Sequence, residues 1–214
     1  MAAGEEKDMS RANAGAAHEF KLLAPDLTGP LQRLIIQRRS RRSFKHGELT
    51  PAQLALLLWA AQGCVDGSRR AVPSAGGTYP LDVLVAPNHP GVPGLAAGLY
   101  RYVPARNVLL LEQPGKLLHQ ISEACYGQGF IATAPVVLIV TCELRRITGR
   151  YGARSHRYIY MEAGHSGQNV HLAAESLGLG TVMVGAFDDA ELAKALHLPQ
   201  GHEPVYVVPI GTPD

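Results

Sequence analysis

Apolar positions along this 214-residue chain change period several times, and each change predicts an element. Pro30, Leu31, Leu34 and Ile35 carry helical spacing as far as Arg38, with proline suited to a first helical position. Thr50-Pro51 is a cap followed by a first-turn residue. The helix it opens runs to Gln62, is stopped by Gly63 and places Leu54, Leu57, Leu58 and Ala61 on one face. The apolar run 81–86 predicts a strand, and 99–103 with 108–112 predicts a hairpin around Pro104-Ala105-Arg106-Asn107. A helix is expected from near Pro114 towards Cys125. Residues 135–142, continuous and β-branched, read as a strand buried on both faces. The longest helical pattern covers 155–178, and Ala163, Gly164, Gly167, Ala173 and Ala174 make it small-sided, so another backbone or a flat ligand can approach closely. Strands at 181–184 and 205–210 enclose a helix at 188–196. Helices and strands mix without strict βαβ alternation, which points to an α+β fold. Residues 1–25, polar and small with no periodicity, read as a flexible arm, and 26–214 as a single domain.

Composition narrows the classes. A 46% apolar and 18% charged chain is not wholesale disorder, and a net charge of +2 argues against a dedicated nucleic-acid binder. Three cysteines without a CxxC pair form neither a disulfide framework nor a zinc pattern, and Cys142 reads as core packing. No signal-peptide apolar region and no stretch of membrane-spanning length is visible, so the expectation is a cytoplasmic protein with no membrane partner.

Candidate chemistry begins with Arg38-Arg39-Ser40-Arg41-Arg42-Ser43-Phe44. Its four guanidiniums and two hydroxyls make a strong phosphate trap, because the arginine fork matches phosphate oxygens bidentately. From this segment alone, a solvated basic loop or a nucleic-acid patch reads equally well. Gly178-Leu179-Gly180 and Gly185 follow a helix and precede a strand, the reverse of a dinucleotide fingerprint. Ser74 lacks the first glycine of a nucleophile elbow, since Val72 stands there. The segment Ser74-Ala75-Gly76-Gly77 reads either as a plain turn or as backbone stripped of bulk beside a ligand. Glu162, His165, Ser166 and Asn169 form a stripe at i, i+3, i+4 and i+7, read as a buried polar network or subunit contact in preference to catalysis. His165 and His171 are six apart and on different faces, so no metal is expected. No carboxylate pair with an acid–base role can be identified.

Taken in order, several of these segments resemble the nitroreductase family of flavin enzymes, and within it the SagB-type dehydrogenases that oxidise azoline rings in ribosomal peptide natural products. The resemblance spans about Leu31 to Pro213. It rests on the Arg-Arg-Ser-Arg-Arg-Ser-Phe run, Pro73-Ser74-Ala75-Gly76-Gly77 with Tyr79-Pro80, Gln128, Tyr151-Gly152-x-Arg154, Glu162-Ala163-Gly164-His165 with Gln168-Asn169, and Pro209-Ile210-Gly211-Thr212-Pro213. It implies a nitroreductase-like fold, with a mostly antiparallel central sheet flanked by helices, in an intertwined homodimer whose seam includes the small-sided helix. It further implies FMN, with phosphate and ribityl contacts from Arg38, Arg39, Ser40 and Arg42. Ser74, Ala75 and Gly76 would lie by the flavin of the opposite subunit, Met183, Val184, Gly185 and Ala186 would pass the ring near N5, and Gln128 would make a polar contact with ring or ribityl atoms. Many azoline oxidases carry Lys-Tyr where this chain has Arg150-Tyr151, and arginine is a poor base; Arg150 and Tyr151 are therefore expected at the substrate. The implied activity is hydride transfer between flavin and a nicotinamide or organic substrate, small molecule or peptide, with NAD(P)H as a candidate donor. A non-catalytic flavin carrier or sensor is the alternative.

Overall fold

The computed structural model describes residues 20–214, so most of the predicted arm lies outside the described residues. Six strands form one sheet in the order β3-β2-β1-β4-β6-β5, and every neighbouring pair is antiparallel. They are β1 (Leu81–Pro87), β2 (Gly98–Val103), β3 (Val108–Pro114), β4 (Val136–Glu143), β5 (Gly180–Thr181) and β6 (His202–Gly211). All eight residues of β4 are buried, as its unbroken apolar run requires of a central strand. Cys142 is part of that interior, and burial pushes its thiol pKa up to about 12.

Helices cover both faces. α1 (Pro30–Gln37) and α2 (Pro51–Gln62) begin on the prolines expected of them. The start of α2 is a capping box in which Gln53 N–H donates to Thr50 Oγ1 and Thr50 N–H donates to Gln53 Oε1. α2 and α6 (Ser155–Ser176) bury Leu54, Leu58, Val170 and Ala174 against Val83, Val85, Leu138 and Val208. On the opposite face α3 (Leu118–Ala124), α4 (Gly129–Thr133) and α7 (Asp189–Ala195) enclose Leu84, Val137, Ile139 and Val207. Alternate residues of β1 and β4 thus serve two cores, the direct consequence of strand period two.

Two expectations are corrected, and two short helices are added. The helix placed from Pro114 begins at Leu118, because Pro114 closes β3 and Gly115 turns the chain at φ +110°. The strand expected at 181–184 pairs regularly only at Gly180–Thr181 and resumes as a single bridge between Val184 and Val207. Between them the facing β6 residue is Pro209, which has no N–H to donate, and Met183 turns aside to Gly167. The short helices α4 and α5 (Arg145–Tyr151) have too few turns to show a period and were not legible. α5 is held by Arg146, whose guanidinium pairs with Asp82 on β1 at 2.9 Å and with Glu143 on β4 at 2.6 Å.

Candidate functional site around the long helix

The arginine run is extended and lies along the sheet edge. Ser40 bridges Thr181 in parallel, and Arg41 N–H donates to Thr181 O at 2.9 Å. Extended backbone alternates its side chains. Arg41 lies on Gly180, where a Cβ would approach its Cβ to 2.8 Å, while Ser40 and Arg42 are exposed. Arg39 is also exposed and Arg38 is half-buried. Among the described residues none of Arg38, Arg39 and Arg42 enters an ion pair. The uncompensated charge of Arg38 is felt on α6: burial first and Arg38 second hold the His171 pKa down to about 4.

The 183–186 segment continues from that edge. Met183 packs on Gly167 of α6, where a Cβ would come within 2.9 Å of its Sδ, and Val184 is buried in its bridge to Val207. Gly185 and Ala186 are exposed backbone. Gln128 joins this group through its amide, with Nε2 donating to Cys125 O at 2.9 Å and to Ala186 O at 3.1 Å. Its amide nitrogen is therefore committed to holding the 183–186 segment.

A second group forms around residues 74–77. The loop is a 3₁₀ turn capped by Ser74, with Gly77 N–H donating to Ser74 O at 3.1 Å. Gly76 has φ +58°, and a Cβ there would lie 2.6 Å from both Arg150 Cζ and Tyr151 Oη. Only glycine meets both conditions. Arg150 Nη1 donates to Gly76 O at 3.0 Å, and Tyr151 stacks edge-on against Tyr158 at 4.7 Å between centroids. The expected site residues Ser74, Ala75 and Gly76 thus meet Arg150 and Tyr151, brought together from two distant segments.

No hydrogen bond or ion pair joins the two groups among the described residues; both instead dock on α6. Its polar stripe faces α2, with Glu162 beside Gln62, Ser166 Oγ donating to Ala61 O at 2.8 Å and Asn169 Nδ2 donating to Ala60 O at 3.3 Å. His165, counted with that stripe, is exposed, because it lies at the stripe's edge on the side of the exposed Met161. Tyr160, Met161, Gly164 and His165 form an uncovered strip.

Sequence reasoning missed four participants. Arg41 was passed over within its own run, and alternation could have separated it from Arg42. Gln62 and Arg70, joined at 3.0 Å, complete the network around Glu162, and His171 reports the field of Arg38. Elsewhere, Asp82, Glu143 and His202 lie close enough to share a cation, but both carboxylates already pair with arginines. A concavity of about 710 Å³ between α3 and α7 contains none of the candidate residues.

The chemistry of the donor set fits a flavin mononucleotide. Arg38, Arg39 and Arg42, unpaired among the described residues, and the Ser40 hydroxyl suit a phosphate, and Gly185 and Ala186 offer exposed backbone with little side chain.

The Nitroreductase family model matches residues 35–212. A Methanocaldococcus jannaschii protein assigned as a nitroreductase, MJ1384, is 42% identical over 182 residues, covering 85% of this chain and 90% of that protein. A crystal structure from Ralstonia eutropha JMP134, also assigned as a nitroreductase, superposes with TM-score 0.76 at 32% identity over 90% of this chain and 88% of that one. The fold also matches a chain of the E. coli microcin synthetase McbBCD complex with truncated pro-MccB17 bound, at TM-score 0.74 and 20% identity, over 96% of this chain and 78% of that one. An α+β sheet of this topology and a match over most of the chain lead to one conclusion: the protein belongs to the Nitroreductase family and is an oxidoreductase of that family.

Proposed function

We propose that this protein is an FMN-dependent oxidoreductase related to the SagB-type dehydrogenases, acting as a homodimer on a small-molecule or peptide substrate. The observation that carries the reading is the set of uncompensated cations at 38–42, one of which depresses the basicity of a buried histidine on α6. Arg38, Arg39, Ser40 and Arg42 would hold the phosphate. The 183–186 backbone, fixed by Gln128, would orient the ring. Bound FMN supplies a two-electron hydride acceptor and donor, while the protein binds and orients it. Ser74, Ala75 and Gly76 would complete the site from the other copy. The separation of the two groups within one chain supports that arrangement, as do the exposed Leu31, Ile35, Trp59 and Met161 on α1, α2 and α6.

The branch reading is supported by the segments quoted from the sequence and by the fold shared with the microcin synthetase chain. One observation favours NAD(P)H-fed reduction of a small acceptor over azoline oxidation. The Arg150 guanidinium, a poor base, is engaged with the Gly76 carbonyl, and simple hydride transfer requires no base there.

The test is an absorbance spectrum of freshly purified protein beside the R38A/R42A variant. A yellow wild type and a pale double variant are expected, and a double variant retaining a full complement of flavin would refute the phosphate role. Turnover of NADPH with a quinone supports the reductase reading, and its absence counts against it.

A further inference from the structure

Glu162 is 2% exposed, and its Oε2 has no hydrogen-bond partner among the described residues. A buried, half-satisfied carboxyl in an otherwise satisfied network is costly, and such groups mark places where a proton or a ligand completes the structure. Its other oxygen accepts from Gln62 Nε2 at 3.4 Å, and Gln62 Oε1 accepts from Arg70 Nη1 at 3.0 Å. Arg70 lies over the Tyr79 ring at 4.6 Å, and Tyr79 N–H donates to Ser74 Oγ at 2.8 Å. Ser74 in turn faces Glu162. Five residues from α2, α6 and the intervening loop therefore make one network, in which Ser74 lies beside Glu162 and Glu162 Oε2 is the oxygen left without a partner.

Counting donors and acceptors gives this pair two states. A serine hydroxyl has one proton and two lone pairs, and the Tyr79 N–H takes one lone pair. With Glu162 protonated, its O–H donates to the second lone pair, and the Ser74 proton is left free to point out of the network. With Glu162 ionised, the carboxylate accepts that proton, and Ser74 has no donor left to offer. We propose that Glu162 is a positioning residue whose proton decides whether the Ser74 hydroxyl donates to the bound flavin. The inference rests on the reading that the 74–76 loop borders the FMN.

Burial raises the Glu162 pKa above the ordinary carboxylate value, with Ser74, Gln62 and Arg70 pulling it back, so the exchange falls above the usual carboxylate range. Other titratable or charged groups facing this network are Arg70, Tyr79 and Cys64 on the loop side, Arg150 and Tyr151 from α5 across Gly76, and Tyr158 on α6 itself. Arg70 and Arg150 stay charged throughout.

The experiment follows FMN release from the full-chain holoprotein on dilution, by recovery of flavin fluorescence, from pH 5 to about pH 9. Wild type is expected to lose about fivefold in affinity as pH rises through a single step, the size of one neutral hydrogen bond. E162Q keeps an amide donor towards Ser74 at every pH and should bind tightly with no step. S74A should be flat and about fivefold weaker. A step that persists in E162Q belongs to another group and overturns the proposal while leaving the flavin site standing. S74A binding FMN as wild type does at every pH overturns both the proposal and the placement of the loop at the flavin. Should E162Q not fold, the infrared carbonyl band of a protonated carboxylic acid in wild type supplies the same test. It must disappear over the same pH step as the affinity, and a band that titrates elsewhere, or none, overturns the proposal.

Discussion

Acidification should cost this protein stability through one side chain, His171. It is 7% exposed on α6, and burial together with the Arg38 charge lowers its pKa from 6.5 to about 4. In the unfolded chain the imidazole takes its proton near its ordinary value, so between those limits the unfolded state binds one more proton than the folded state. Stability is therefore complete above about pH 6.5, falls as pH drops towards 4 and levels off below. A gap of about 2.5 units at 1.36 kcal/mol each gives a loss of about 3 kcal/mol. Glu162 works in the opposite direction: its folded-state pKa is raised, so its contribution is present in acid and lost as pH climbs from 4.5 to that raised value. Comparing wild type with H171Q cancels this term, because Glu162 is common to both. Urea midpoints at pH 7 and pH 4, converted with a shared m-value, should show wild type losing about 3 kcal/mol more than H171Q. Equal losses in the two proteins would refute the argument. The R38A substitution should narrow the difference, since it removes the second of the two causes.

G76A should cost about 1–2 kcal/mol, because a side chain at φ +58° is strained and its Cβ displaces Arg150 and Tyr151; an unchanged melting temperature would contradict the packing described. Q128A removes two hydrogen bonds and releases the Ala186 carbonyl, so amide exchange should quicken across 183–186 and remain unchanged at 74–77. R146M leaves Glu143, 5% exposed, without one of its cationic partners and should destabilise by about 3 kcal/mol in urea. The double variant E143Q/R146M should recover part of that loss, and no recovery would mean that the arginine acts through packing alone.

How much of the site was legible depended on whether its determinants are local. The arginine cluster proposed to hold a phosphate is visible in the sequence because four arginines fall within five residues, and phosphate chemistry needs little more than charge density. The Ser74–Gly77 turn announced itself by lost side chains, yet nothing local distinguishes a plain turn from a ligand wall. The meeting of that loop with Arg150 and Tyr151, 74 residues away at the Gly76 contact, is decided by the packing of α5 against β1 and β4. Gln128 is expected from the sequence to contact the flavin ring or ribityl chain, whereas its amide in the structure holds the Ala186 carbonyl 58 residues on, a partner that emerges only when α4 and the 183–186 segment are laid side by side.

From the chain alone come the helix starts at Pro30 and Pro51, the fully buried strand read at 135–142 and observed at Val136–Glu143, the hairpin, and the family resemblance. These depend on period, capping and turn chemistry within a few residues, where physical preferences act independently of the rest of the molecule. Only the tertiary structure decided that 181–184 breaks after two paired residues, since the obstacle is a proline on another strand. It also placed His165 outside and Glu162 inside, and set His171 within the field of Arg38, 133 residues earlier. Burial and electrostatic coupling are properties of what is packed around a group, and that neighbourhood is assembled from segments that share no proximity along the chain.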